Sequence, residues 1–239
     1  MSLTITTIIP LVAFFFYAAL FVVAAISKSA TQKNERGEFQ LYLFTMLLWS
    51  LSAFFLLLGA FGNPTLWFRF MIFAAVGTSI TLMRFVRVVL GFQWKWMVWA
   101  NIYVLVSMVL SLFTDLVIKT ASVDNGVITY EFGNFIALIA GPGYLLNFFS
   151  LSQLIRGYRN SDDLIQKNRI RYLIIGLGIV IIVSMVNFTP LGKYPIDIAG
   201  NTIAAGVIGY AILRHQLLDI KVIYRKSLLY SIPTILIGA

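Results

Sequence analysis

The chain of 239 residues contains no cysteine and one histidine, His215. Without Cys there is no disulfide and no thiolate metal centre, and one His cannot build a conventional transition-metal cluster. Charge is also scarce. Asp, Glu, Lys and Arg make up 11% of the residues, against about a quarter in soluble domains. No polar stretch approaches the ~50 residues of a small soluble domain. A phosphate-binding Gly–Lys loop and a His/Glu metalloprotease motif are both missing. No apolar run holds a pair of acids, which disfavours a proton-coupled pump. A retinal Schiff base needs a Lys deep in a helix, and Lys193 falls in the loop before the last run.

What the chain does have is apolar length. Hydrophobic residues make up 60% of it. They gather in seven runs, roughly Ile5–Ile26, Leu41–Phe61, Leu66–Leu90, Trp96–Phe113, Phe132–Leu154, Tyr172–Phe188 and Ile196–Leu213. A helix crosses a ~30 Å hydrocarbon core with about 20 apolar residues. In lipid the backbone must satisfy its own hydrogen bonds, so such runs can span only as helices. The expectation is an all-α membrane protein, a bundle of seven transmembrane helices.

The formal net charge is +9, and its distribution is uneven. Fifteen of the 18 Lys and Arg residues fall in connections on one side of the runs. Only Arg69, Lys119 and Lys193 fall on the other, beside Asp115, Asp124, Glu131 and Asp197. The positive-inside rule then puts the N-terminus outside and the C-terminus in the cytoplasm. The basic face suits anionic lipid headgroups rather than nucleic acid. Run one lacks a charged start and a small-residue cleavage site, so it reads as a retained helix.

The connections have individual characters. Gly62-Asn63-Pro64-Thr65 reads as a tight outer turn. Between runs four and five, Val117–Thr120 and Val127–Tyr130 flank Asp124-Asn125-Gly126. This predicts either a short outer β-hairpin, lying over the mouth of the bundle, or a plain connector. Gly141-Pro142-Gly143 predicts a kink in run five. Gly200, Ala204, Ala205 and Gly209 predict that run seven packs inside the bundle, away from lipid. Three regions follow: a membrane domain over 1–213, a cytoplasmic connector over 214–226, and an apolar segment over 227–239. The last reads as the start of a further helix that is cut off. His215 reads as a polar residue at the membrane surface, not as a phosphoacceptor.

Uncharged polar residues lie inside the runs. Gly143, Asn147 and Ser150 share one helical face; Ser184 and Asn187 share another; Asp197, Asn201 and Ala205 share a third. Asn147, Asn187, Asn201, Tyr144 and Asp197 are therefore candidates to line an outward-open ligand pocket. Interhelical hydrogen bonding is the more common use of such residues. Arg84 and Arg87 share a face near the inner end of run three. Snorkelling to headgroups accounts for them simply. The alternative is an ion pair of Arg84 with Asp219 or a loop acid. Asp219 itself is expected to pair with Arg84, Arg87, Arg169 or Arg171. Arg214, Asp219, Arg225, Arg84 and Arg171 are the candidates for passing a signal onward.

The end of run seven reads Tyr210-Ala211-Ile212-Leu213-Arg214-His215-Gln216-Leu217-Leu218-Asp219-Ile220. This resembles the membrane exit of the seven-helix N-terminal region of bacterial and archaeal sensor histidine kinases. Asn168-Arg169-Ile170-Arg171-Tyr172-Leu173 is similar to the basic entry of that family's sixth helix. Leu191-Gly192-Lys193-Tyr194-Pro195 is similar to the outer turn before its seventh. The resemblance covers residues 5 to 226. It implies a sensory receptor module in a prokaryotic plasma membrane, not itself an enzyme. It would pass an extracellular or membrane signal to a cytoplasmic output domain, such as a histidine kinase or cyclase. The implied partners are the bilayer, a small ligand and that output domain or protein; a homodimer is compatible. No cofactor or metal is implied. The other reading is a transporter, a channel or a membrane subunit of a complex. No internal repeat supports it, and only one Gly-Pro-Gly break interrupts the runs.

Overall fold

The computed structural model describes residues 5–26, 33–59, 62–124 and 126–216, with side chains reaching to residue 211. The connector expected over 214–226 is described only to Gln216, as the end of the last helix; its remainder, with Asp219 and Arg225, and the apolar segment over 227–239 lie outside the described residues. So does the side chain of Arg214.

Seven helices are present in the described residues. They are α1 (Ile5–Ile26), α2 (Lys33–Leu58), α3 (Pro64–Leu90), α4 (Met97–Phe113), α5 (Ile136–Asn160), α6 (Leu164–Met185) and α7 (Ile196–Gln216). Five of them, α1, α2, α3, α5 and α6, are long and apolar enough to cross a membrane, while α4 and α7 are shorter apolar helices. Helices α1, α2, α3, α5, α6 and α7 pack in that order, and α7 returns to α1. The result is a ring of six, with α4 outside it against α3.

Several helices run past the apolar segments that announce them. Helix α2 begins at Lys33, eight residues ahead of its apolar run, and α6 begins at Leu164. Arg36, Arg156, Arg159, Lys167, Arg169 and Arg171 therefore stand on helix ends rather than in loops. An α-helix needs only backbone pairing, so charged turns continue it wherever the side chains reach water or a partner.

The turns follow their residues. Asn63 caps α3 by accepting the Thr65 N–H at 2.9 Å, with Pro64 next in the chain. Asp163 caps α6 in the same way through the Ile165 N–H, at 2.9 Å. Gly91 closes α3 at φ 70°, in the left-handed region that favours glycine. Helix α5 continues through Pro142.

The hairpin forms as β1 (Ile118–Asp124) and β2 (Val127–Phe132), antiparallel, with Gly126 at φ 75° in the turn. A two-stranded hairpin is marginal in water alone. This one is held by packing. Val117, Ile118, Ala121 and Ile128 are buried with Leu56, Leu57, Phe68 and Ile139 at the ends of α2, α3 and α5. Thr65 Oγ accepts the Ala121 N–H at 3.0 Å, and Arg69 donates to the Ile118 carbonyl at 3.0 Å while pairing with Asp115.

The small residues of α7 do admit close neighbours. A Cβ on Gly200 would lie 2.3 Å from Val183 Cγ1, and Gly206 and Gly209 face Phe16 and Leu20 of α1. Ala204, Ala205, Ile208 and Ala211 have no exposed surface. The expectation of a fully enclosed run seven needs correction, however. Ile203 is 63% exposed and Tyr210 44%, because each helix of a ring keeps an outer face.

Candidate functional site

The hairpin and the helix ends beside it surround a cavity of about 470 Å³. That is within the range of small-molecule sites. Helices α2, α3, α5, α6 and α7 line it, together with β2 and the 3₁₀ turns between α6 and α7.

The floor at α7 is built from local bonds. Asp197 stands in the first turn of α7. Its Oδ2 accepts from Asn187 Nδ2 at 3.1 Å and its Oδ1 from the Ile198 N–H at 2.8 Å. Asn187 reaches it from the 3₁₀ turn Val186–Phe188. The turn doubles back tightly: a Cβ on Gly192 would sit 2.7 Å from the Asn187 backbone. Only glycine leaves that space. Tyr144 of α5 donates to the Ser184 carbonyl of α6 at 3.0 Å. Gly143, one residue earlier, lets α5 approach Ser79 of α3.

The five pocket candidates read from the sequence all line this one cavity: Tyr144, Asn147, Asn187, Asp197 and Asn201. Two of them are spent on each other, since Asn187 bonds Asp197. Asn147 and Asn201 are different. Each is buried, and each Oδ1 has no hydrogen-bond partner among the described residues.

Two further lining residues lie on α2. Tyr42 is 1% exposed and Trp49 9%, and among the described residues neither Tyr42 Oη nor Trp49 Nε1 has a partner. Native buried polar groups are nearly always paired, and an orphan costs about 1–3 kcal/mol. Four residues of one cavity lining thus carry an orphaned polar atom: an indole N–H, a hydroxyl and two amide oxygens. Sequence reasoning missed Tyr42 and Trp49 because an aromatic inside an apolar run looks like core. One signal was available: of five tryptophans, Trp49 alone lies far from a run end.

Charge at the cavity is one-sided. Asp197 is the single ionisable acid in the lining, and no Lys, Arg or His lines it among the described residues. Burial, and after it the nearby Asp197 carboxylate, push the Tyr130 phenol upward. Arg69 and Lys119 are engaged by Asp115 and Glu131, and Lys193 stands in the 3₁₀ turn between the lining residues Gly192 and Tyr194 without lining the cavity itself.

The opposite end of the bundle is paired and filled. Arg84 makes a bidentate pair with Glu38, at 2.9 and 2.8 Å. Arg169, 4% exposed, pairs with Glu35. Arg84 thus meets Glu38, an acid between the first two apolar runs, as the loop-acid alternative expects; Asp219 lies outside the described residues. Arg171 is exposed, and Arg169 is the buried member of that stretch. Glu35 and Glu38 escaped notice because the apolar run does not include them. Their three-residue spacing puts both on one face of α2. Between these pairs and the cavity, Phe39, Leu43, Phe85, Ile170, Leu173 and Leu177 fill the ring with fully buried side chains.

A comparison with curated proteins finds no match. The family model described as the N-terminal 7TM region of histidine kinase matches residues 6–221, which takes in every described helix, the hairpin and the cavity. With that match over most of its length, the chain belongs to the family of N-terminal seven-transmembrane regions of histidine kinases.

Proposed function

We propose that this chain is a ligand-sensing membrane module. A small molecule in the cavity at the hairpin end biases the packing of α2, α5 and α7, and α7 carries the change into a cytoplasmic output domain. The observation that carries this reading is the set of four buried, unpartnered polar atoms, on Tyr42, Trp49, Asn147 and Asn201, around one cavity. An occupant that bonds them in one packing and not another shifts the equilibrium by that difference in affinity.

The 15-to-3 split of basic residues supports the orientation. Under the positive-inside rule the hairpin end faces outward and the Glu35–Arg169 end faces the cytoplasm. Labelling should agree. A cysteine replacing exposed Lys119 would react with an impermeant reagent from outside, and one replacing Lys95 from inside. The reverse pattern overturns the orientation.

Helix α2 is suited to link the two ends. Tyr42 and Trp49 face the cavity, while Glu35 and Glu38 hold α6 and α3. Residues 35 to 49 span about 21 Å along the helix. The connector beyond residue 213, including Arg214, Asp219 and Arg225, would relay the shift. A transporter reading is weaker, because apolar side chains fill the ring between the cavity and the paired end.

A tethered occupant tests the proposal. In the full-length protein, a benzyl methanethiosulfonate adduct on Ser184→Cys fills the cavity permanently. The same adduct on Ile182→Cys, 68% exposed on α6, points away from the bundle. Output should change with the first adduct and not with the second. Equal output from both overturns the sensing role.

A further inference from the structure

The cavity walls say what kind of molecule fits. The inference rests on the sensing reading for its purpose, but its chemistry can be tested without it.

Asp197 is 8% exposed, and among the described residues no cationic side chain lines the space it shares. Its two bonds, from Asn187 Nδ2 and the Ile198 N–H, come from neutral donors. A buried carboxylate ordinarily has a charged partner or a metal. A metal is poorly served: the lining holds one carboxylate, and no cluster of three or more potential ligands exists among the described residues. An anion would meet Asp197 with no basic side chain in the described lining to offset it.

The rest of the wall is aromatic. Tyr130 stacks on Phe68 at 5.0 Å, and Tyr144 packs on Phe188 at 5.5 Å. All four rings line the cavity. The faces of such rings attract cations. One helical turn beyond Asp197, Asn201 Oδ1 is buried and has no hydrogen donor. Across the cavity on α2, the Tyr42 hydroxyl and the Trp49 N–H have no acceptor.

We infer that the cavity binds a small organic monocation: a protonated amine whose ammonium lies between Asp197 and Asn201, with an apolar or aromatic body and a hydrogen-bond acceptor toward Tyr42 and Trp49. The ammonium supplies the charge partner that the lining omits. The aromatic rings hold the body. The distal acceptor takes up the α2 donors.

The test compares three probes of one shape and different charge: 2-phenylethylamine, 2-phenylethanol and 3-phenylpropanoate. Binding to the full-length protein is measured by equilibrium dialysis in nanodiscs of zwitterionic lipid, which add no surface charge of their own. The amine should bind at least about tenfold more tightly than the alcohol, and the propanoate most weakly. Asp197→Asn should bring amine and alcohol within about threefold of each other. The wild-type ratio stands even if that variant fails to fold. An alcohol that binds as well as the amine, a preference that survives Asp197→Asn, or no saturable amine binding overturns the inference. The sensing role fails separately: a tethered occupant that leaves output unchanged would refute it while leaving the charge preference intact.

Discussion

The two ends of the bundle handle buried polarity in opposite ways. At the basic end, Arg169 and Arg84 are matched by Glu35 and Glu38, with only Arg169 Nε left buried and unpartnered among the described residues of that end, and apolar side chains close the ring behind them. At the hairpin end, Tyr42, Trp49, Asn147 and Asn201 keep buried polar atoms without partners beside about 470 Å³ of space. A structural hydrogen-bond network would be satisfied, because a half-satisfied one is worse than an apolar core. The first end is therefore a frame, and the second a place kept for an occupant. Both are built partly on one helix, α2, which lets a change at one be felt at the other.

This contrast can be broken from the paired end first. Arg169→Leu leaves the half-buried Glu35 without its partner and should cost about 2–4 kcal/mol, read by thermal unfolding of the protein in nanodiscs. Adding Glu35→Leu should recover most of the loss. A single variant as stable as wild type would show that the pair is dispensable.

Overpacking comes next. Gly200→Leu drives a side chain into Val183 and should cost about 1–3 kcal/mol. Gly178→Leu, on α6 with nothing within 4 Å of its Cβ position, should cost far less. Equal losses would mean that the α6–α7 contact is not a tight one.

At the cavity the expected sign changes. Asn201→Leu removes an orphan polar group at similar size, so stability should stay within about 1 kcal/mol of wild type, on either side. Binding of 2-phenylethylamine should fall at the same time. A loss of stability as large as that of Arg169→Leu would make Asn201 a structural bond.

The smallest effect belongs to the exposed hairpin pair. Lys119 and Glu131 meet at 2.6 Å with about half of each side chain exposed. Lys119→Ala should cost no more than about 1 kcal/mol, and the hairpin should remain packed through Ile118 and Ile128. Loss of the hairpin from hydrogen-exchange protection would contradict that.

The apolar runs made the helices legible, and the Asp124-Asn125-Gly126 turn with its flanking β-prone residues marked the hairpin. Helical spacing also grouped Asn147, Asn187, Asn201 and Asp197, whose faces meet in the cavity. Hydropathy hid the helix ends, because it stops where charge begins. Glu35 and Glu38 therefore looked like loop residues until α2 extended over them. It also hid Tyr42 and Trp49, since an orphaned hydroxyl or indole nitrogen differs from a packed ring only by what surrounds it. Which partner Arg84 takes depends on the approach of α2 to α3, and sequence spacing does not report that.

The central claim is that the hairpin end holds an accessible binding space while the bundle around it is closed. The absence of native cysteine from this sequence allows a direct measurement. Ser184→Cys lines the cavity, whereas Ala205→Cys lies in the α7 core with no exposed surface. In sealed vesicles, an impermeant thiol reagent added on the hairpin side should label position 184 at least about tenfold faster than position 205. Saturating 2-phenylethylamine should protect position 184. Equal labelling of the two positions, or labelling at 184 that the amine leaves untouched, would contradict the account.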